Sequence, residues 1–174
     1  LLVFGATFFT FSDYERPAIR LRALQGLPVI TEYTHDSIFV GEDGPTHQPI
    51  EHLMAARTIP NLLVLRPADA NEAVIACKIA MEQKHRPSIV LLSRQGLPVL
   101  DRTIYENETN FRKGGYVISY SDNPDVVIFS SGSEISLSLD VKEKLNNYSV
   151  KVINMGCWEL FDEQPQSYKD SVLN

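Results

Sequence analysis

Along most of the chain, apolar runs of strand length alternate with longer segments of helical period. The runs at 27–33, 62–66, 88–92, 126–130 and 150–155 are brief and rich in Val, Ile and Leu, as strands covered on both faces are. Helical patterns at 12–25, 49–57, 69–84 and 133–145 fill the intervals. This alternation predicts an α/β fold, an open and mostly parallel sheet flanked by helices. Ser12 is placed to cap the first helix, Asp69 with Glu72 three positions later forms a capping-box pattern, and Pro49 suits the first turn of the second helix.

Order breaks down between Gln95 and Asn123, where polar residues, Lys113-Gly114-Gly115 and Ser121-Asp122-Asn123-Pro124 leave room for one strand near 116–119. The expected organisation is therefore a first domain over 1–103, a linker over 104–123, and the start of a second α/β domain over 124–174. The chain opens Leu1-Leu2-Val3-Phe4 and closes Val172-Leu173-Asn174, so it reads as a piece of something longer. Its 174 residues, 44% hydrophobic and 22% charged, exclude global disorder. A net charge of 16 − 22 = −6 argues against nucleic-acid binding. No run approaches the roughly 20 apolar residues of a membrane-spanning helix. Cys77 and Cys157 lie too far apart in sequence to suggest a metal motif or a disulfide framework, which favours a cytoplasmic setting.

Chemistry concentrates in the loop after the strand at 27–33: Thr34-His35-Asp36-Ser37-Ile38-Phe39-Val40-Gly41-Glu42-Asp43-Gly44-Pro45-Thr46-His47-Gln48-Pro49. In a parallel sheet this loop lies at a strand's carboxyl end, where open α/β folds bind ligands. His35 and His47 can donate to phosphate or exchange protons near neutral pH, while Asp36 and Asp43 can orient an imidazole or accept from hydroxyls. A solvated surface turn shaped by Gly41, Gly44 and Pro45 is the competing reading. His and Asp neighbours can also ligate zinc, but the loop lacks a helical ligand pair such as His-Glu-x-x-His, and no metal ligand is assigned within the chain. Ser37 and Ser93 sit in no nucleophile elbow.

Two further features flank the loop. Phe8, Phe11 and Tyr14 recur every three residues, so they either present rings to a flat heteroaromatic ligand or form a buried stripe. Arg94 follows the apolar run ending at Leu92, where a guanidinium can grip a phosphate through paired hydrogen bonds or form a surface ion pair.

Together these residues resemble a known signature. Thr-His-Asp-Ser-Ile followed by Gly-Glu-Asp-Gly-Pro-Thr-His-Gln-Pro is similar to the loop of transketolases, thiamine diphosphate enzymes that move a two-carbon ketol unit between sugar phosphates. Gly5-Ala6-Thr7-Phe8-Phe9, Arg66-Pro67-Ala68-Asp69, Ser93-Arg94-Gln95, Ser131-Gly132-Ser133-Glu134 and Cys157-Trp158-Glu159-Leu160-Phe161 resemble further landmarks in the family's order, so the likeness spans nearly the whole chain. It implies that the first domain is the later part of a pyrimidine-binding domain and that the second opens the C-terminal domain. It implies that Phe8, Phe11 and Tyr14 receive the cofactor's pyrimidine, that His35 and Arg94 hold the sugar phosphate, and that Asp43 reads a substrate hydroxyl. His47 is implied to contact the reacting end of the sugar and to move protons.

The resemblance further implies thiamine diphosphate with a divalent metal, Mg or Ca, whose ligands lie outside this chain. It also implies sugar-phosphate substrates of the pentose phosphate pathway and a homodimer with active sites between subunits. The family's activating glutamate precedes the position of Gly5 and is not among these residues, so the chain alone is expected to be inactive. Phe39 stands where the family commonly has glycine, which implies a more crowded loop. A dihydroxyacetone synthase-type relative, using formaldehyde as acceptor, and a non-catalytic module derived from the same fold are the rival readings.

Overall fold

The computed structural model describes residues 2–174, and the chain forms two compact units. The first comprises the chain to Arg66 together with Ala76–Gly96, and the second comprises Pro67–Ile75 with Leu97–Asn174.

Among the described residues, the first unit carries a four-stranded parallel sheet of β1 (Val3–Phe8), β2 (Val29–Thr34), β3 (Leu63–Leu65) and β4 (Ser88–Leu91), in the order β1-β2-β4-β3. Helix α1 (Ser12–Leu24) connects β1 to β2, and α2 (His52–Arg57) lies between β2 and β3. Helix α3 (Ala70–Glu82) leads from β3 to β4. The all-apolar β3, at one edge of the sheet, and the Ser-Ile-Val-Leu run of the interior β4 are both buried throughout, as parallel strands covered on both faces are. Phe9, Ile19, Ala23, Tyr33, Leu62, Val64, Ile89 and Leu91 form a shared core. Register pairs Phe8 with Thr34, Tyr33 with Leu91 and Leu65 with Val90, so the carboxyl ends of the four strands lie along one edge.

The second unit carries a three-stranded mixed sheet of β5 (Tyr116–Ser119), β6 (Val126–Ser130) and β7 (Val150–Asn154), ordered β5-β7-β6. Strand β6 runs parallel to β7 and β5 antiparallel. Helix α4 (Glu134–Lys144) joins β6 to β7, followed by α5 (Trp158–Asp162) and α6 (Gln166–Leu173). Ile153, Phe161 and Val172 are buried together here. The α/β class with a mostly parallel sheet is as expected.

Several local expectations need correction. Ser12 does not cap α1: the helix begins on it, Phe11 holds the cap position, and a 3-10 turn over Phe9–Phe11 leads in without a side-chain cap. Pro49 does not open α2, which starts at His52. The stretch 104–123 carries the strand expected near 116–119, β5, and in addition a 3-10 helix, Glu108–Lys113, that Asn107 caps by accepting from the Thr109 N–H at 2.8 Å. The Asp69–Glu72 pattern does cap α3: Asp69 Oδ1 accepts from the Glu72 N–H at 2.9 Å, and Glu72 Oε2 accepts from the Ala68 N–H at 2.8 Å.

Candidate functional site

The edge formed by the strands' carboxyl ends gathers most of the residues singled out from the sequence. Phe8 ends β1 and His35 directly follows β2, so strand pairing alone makes them neighbours. Their rings stack with centroids 3.7 Å apart, which occupies one face of Phe8. Phe8 and Phe11 lie parallel at 5.9 Å, and Phe11 meets Tyr14 at 6.2 Å. The three-residue recurrence brings the rings together because strand, 3-10 turn and α-helix succeed one another at Phe8, Phe9 and Ser12. Phe8 and Phe11 are half-buried and Tyr14 is 86% exposed, so the cluster is not a buried core stripe.

His47 joins this cluster from the other end of the loop. It closes the 3-10 turn Pro45–His47, and its ring stands edge-on to Phe11 at 5.3 Å and to Phe8 at 6.2 Å. Gly44, at φ 74° and ψ −167°, makes the preceding bend in a backbone region that suits glycine. Each histidine is also tied by the residue before it. Thr34 Oγ1 lies 2.9 Å from His35 Nδ1, and Thr46 Oγ1 lies 2.9 Å from His47 Nδ1. With Nδ1 engaged in both rings, Nε2 is the nitrogen offered to a ligand, as donor or acceptor according to tautomer. Sequence reasoning missed the role of the threonines, although a Thr-His dipeptide at each end of the loop was a signal that could have found it.

His35 adopts φ 58°, a left-handed conformation that costs a non-glycine residue roughly 1–3 kcal/mol. The fold holds it there by fixing the next residue. Asp36 is buried and accepts from Arg66 Nε at 2.6 Å, while its N–H donates to the Leu92 carbonyl at 3.2 Å. Asp36 therefore ties the ends of β2 and β3 together and is engaged with Arg66, not with an imidazole. Sequence reasoning missed this pairing.

Arg94 and Asp43 are not members of the ring cluster. Arg94 follows β4 through Ser93, whose hydroxyl donates to the Gln95 carbonyl at 2.8 Å and shapes the turn. Its guanidinium packs over Gly41: a Cβ on that residue would lie 3.4 Å from Arg94 Cζ. Gly41 adopts φ 80°, so both conformation and contact favour glycine there. Gly41 opens the 3-10 turn that Asp43 ends, and Asp43 is exposed. Phe39 is 61% exposed, and Gln48 Nε2 braces the loop by donating to the Ile38 carbonyl at 2.8 Å.

The edge thus presents one cationic guanidinium, two imidazoles with oriented outer nitrogens, a free-standing carboxylate and a set of open aromatic rings. Such a set can hold a flat heteroaromatic group beside a phosphorylated, hydroxyl-bearing molecule. No helix among the described residues is long and apolar enough to cross a membrane.

The chain as a whole is similar to proteins of one family. A family model described as transketolase, pyrimidine binding domain, matches residues 1–99, and one described as transketolase-like TK C-terminal domain matches 114–174. A transketolase of Aquifex aeolicus is 51% identical over 99% of this chain and 26% of its own length. A transketolase structure from Leishmania mexicana superposes with a TM-score of 0.94 at 41% identity, over 99% of this chain and 26% of that one. A Pichia stipitis transketolase solved in complex with sedoheptulose 7-phosphate gives 0.93 at 42% identity, over 98% of this chain and 25% of that one. The chain spans about a quarter of the length of the curated relatives it matches.

Proposed function

The chain belongs to the transketolase family, and from that premise we propose that it forms part of an enzyme transferring a two-carbon ketol unit from a ketose phosphate to an aldose phosphate. The observation that carries this reading is the convergence of His35 and His47 on the Phe8–Phe11–Tyr14 rings along the sheet's carboxyl edge, with Arg94 seated on Gly41 of the intervening loop.

The aromatic surface suits the pyrimidine of thiamine diphosphate, with Phe11 and the exposed Tyr14 offering ring area to it. When bound, that cofactor supplies the nucleophilic carbon and the electron sink. The chain's own residues bind and orient. Arg94 and His35 Nε2 grip the substrate phosphate, because a dianion favours a forked cation together with a second donor. Asp43 accepts from a sugar hydroxyl. His47, its Nδ1 held by Thr46, presents Nε2 to the reacting end of the sugar and exchanges a proton there.

The same reading assigns residues 1–103 to the pyrimidine-binding domain, 104–123 to the connection and 124–174 to the start of the C-terminal domain. It also includes a divalent metal, Mg or Ca, held with the diphosphate by residues outside this chain, a homodimer, and a cytoplasmic place in the pentose phosphate pathway.

The complete protein should transfer the ketol unit to ribose 5-phosphate in the presence of thiamine diphosphate, and more readily than to formaldehyde. In that protein Arg94→Ala should raise KM for phosphorylated acceptors far more than for unphosphorylated ones, with kcat less affected. Equal effects on both classes would remove Arg94 from phosphate binding, and absence of transfer would overturn the reading itself.

A further inference from the structure

A second cluster in the first unit lies outside the set of residues just assigned. Asp13, in the first turn of α1, Glu51, immediately before α2, and His52, the first residue of α2, each place one ligand-type atom within 4.8 Å of the other two. Among the described residues it is the one such group of three or more His, Cys, Asp or Glu side chains.

His52 distinguishes this group from an ordinary patch of surface acids. Its side chain is only 6% exposed, set in a crevice lined by Phe9, Ile19, Tyr33, Ala56 and Ile59, with the Phe9 ring 5.7 Å away. Neither ring nitrogen makes a hydrogen bond, although a buried imidazole N–H or lone pair is costly to leave unmatched. Asp13 Oδ2 approaches Nε2 to 3.2 Å and Glu51 Oε2 approaches Nδ1 to 3.8 Å, without hydrogen-bond alignment. The first separation is informative. Ligands about 2.0–2.2 Å from a tetrahedral zinc ion lie about 3.3–3.6 Å from one another, so a nitrogen and an oxygen 3.2 Å apart and poorly aligned for a shared proton are close to spanning one edge of such a site.

We propose that Asp13, Glu51 and His52 form a binding site for a divalent transition metal of the zinc class. Imidazole with two carboxylates is a borderline donor set, suited to Zn²⁺, Co²⁺ or Ni²⁺ more than to Mg²⁺ or Ca²⁺, which favour all-oxygen shells. Three protein ligands leave a fourth position for water. The bound ion clips the start of α1 to the start of α2, which flank the Phe9–Phe11 turn and the loop ending at His47. The site departs from the expectation that no metal ligand lies within the chain, and it does not rest on the proposed transferase activity.

The test uses the complete protein, stripped with a chelator and held in excess magnesium so that sites for hard cations are filled. Titration with Zn²⁺ should show one tight equivalent per chain, and Co²⁺ in its place should give the visible d–d absorption of a four- or five-coordinate ion. Asp13→Asn and His52→Gln should each weaken binding by roughly ten- to hundredfold or more. Should His52→Gln fail to fold, Asp13→Asn and Glu51→Gln, both at exposed positions, decide the matter alone. Absence of the tight equivalent, or its persistence in Asp13→Asn and Glu51→Gln, overturns the proposal and leaves His52 as a buried ring beside Asp13 with no metal between them.

Discussion

Asp36 and Asp43 share one loop and one chemistry, yet the fold gives them opposite fates. Asp43 stands exposed at the end of a turn, while Asp36 is buried against a buried Arg66 at 2.6 Å. Nothing local distinguishes them, because the deciding partner lies 30 residues away. Removing one member of a buried ion pair strands the other charge in a medium that solvates it poorly, at a cost of about 3–5 kcal/mol. Asp36→Ala should therefore lower the stability of the protein by about that amount, read as a fall in the urea midpoint at unchanged slope. A loss below about 1 kcal/mol, the range of exposed pairs, would show that Arg66 is held by its other contacts. His35 and His47, in contrast, were legible from sequence, since the loop that carries them directly follows a strand and concentrates titratable residues at its carboxyl end.

At the scale of elements, the segments that declared themselves are those whose burial is fixed by their own pattern. The Val-, Ile- and Leu-rich runs became β2, β3, β4, β6 and β7, and the longer periodic stretches became α1 through α4. Strand β1 was invisible because Val3, Phe4, Gly5 and Ala6 are exposed and show no alternation, so its strand character comes from pairing with β2. The short α5 and α6 offer too few turns for a period to show.

Helix α3 shows how a local signal can serve a distant purpose. Glu72 caps its start, and its carboxylate also accepts from the Tyr116 hydroxyl and from Asn154 Nδ2 at 2.9 and 3.0 Å, while Arg102 donates to Asp69 at 2.9 Å. Burial raises the Glu72 carboxyl above its ordinary value, opposed by donation from Tyr116, Ala68 and Asn154 and by the charge of Arg102. The folded state then keeps this proton to higher pH than the unfolded chain does. Stability from the site is accordingly greatest below the ordinary carboxylate range and declines as pH rises through the raised value. Glu72→Gln abolishes that titration and leaves an amide N–H facing a donor, at about 1–3 kcal/mol. The stability gap between wild type and variant should narrow from about pH 4 to pH 8. A gap independent of pH would rule out titration of Glu72 in the folded protein.

For the molecule as a whole, the same network means that the second unit is not made from one stretch of sequence. Its buried polar centre joins Asp69 and Glu72 to Arg102, Tyr116 and Asn154, a span of 82 residues between Glu72 and Asn154. Pro67–Ile75 accordingly belongs to the same compact unit as Leu97–Asn174. Reading along the chain could locate a boundary near the disordered-looking stretch after Gln95, because polar and glycine-rich composition is a local property. It could not see that nine earlier residues complete the later unit, because that depends on partners chosen in three dimensions. The consequence is testable by dissection. A fragment of residues 97–174 keeps the three-stranded sheet and the Phe161 core but leaves Tyr116, Asn154 and Arg102 without the two carboxylates they share. Buried donors stripped of their acceptors cost about 1–3 kcal/mol each, which for a unit this small is comparable to its whole stability. The fragment should lack near-UV circular dichroism and a cooperative thermal transition, and extending it upstream through Pro67 should restore both. A cooperative transition in residues 97–174 alone would mean that the hydrophobic core of β5, β6 and β7 suffices, and that the Glu72 network serves only to fasten α3.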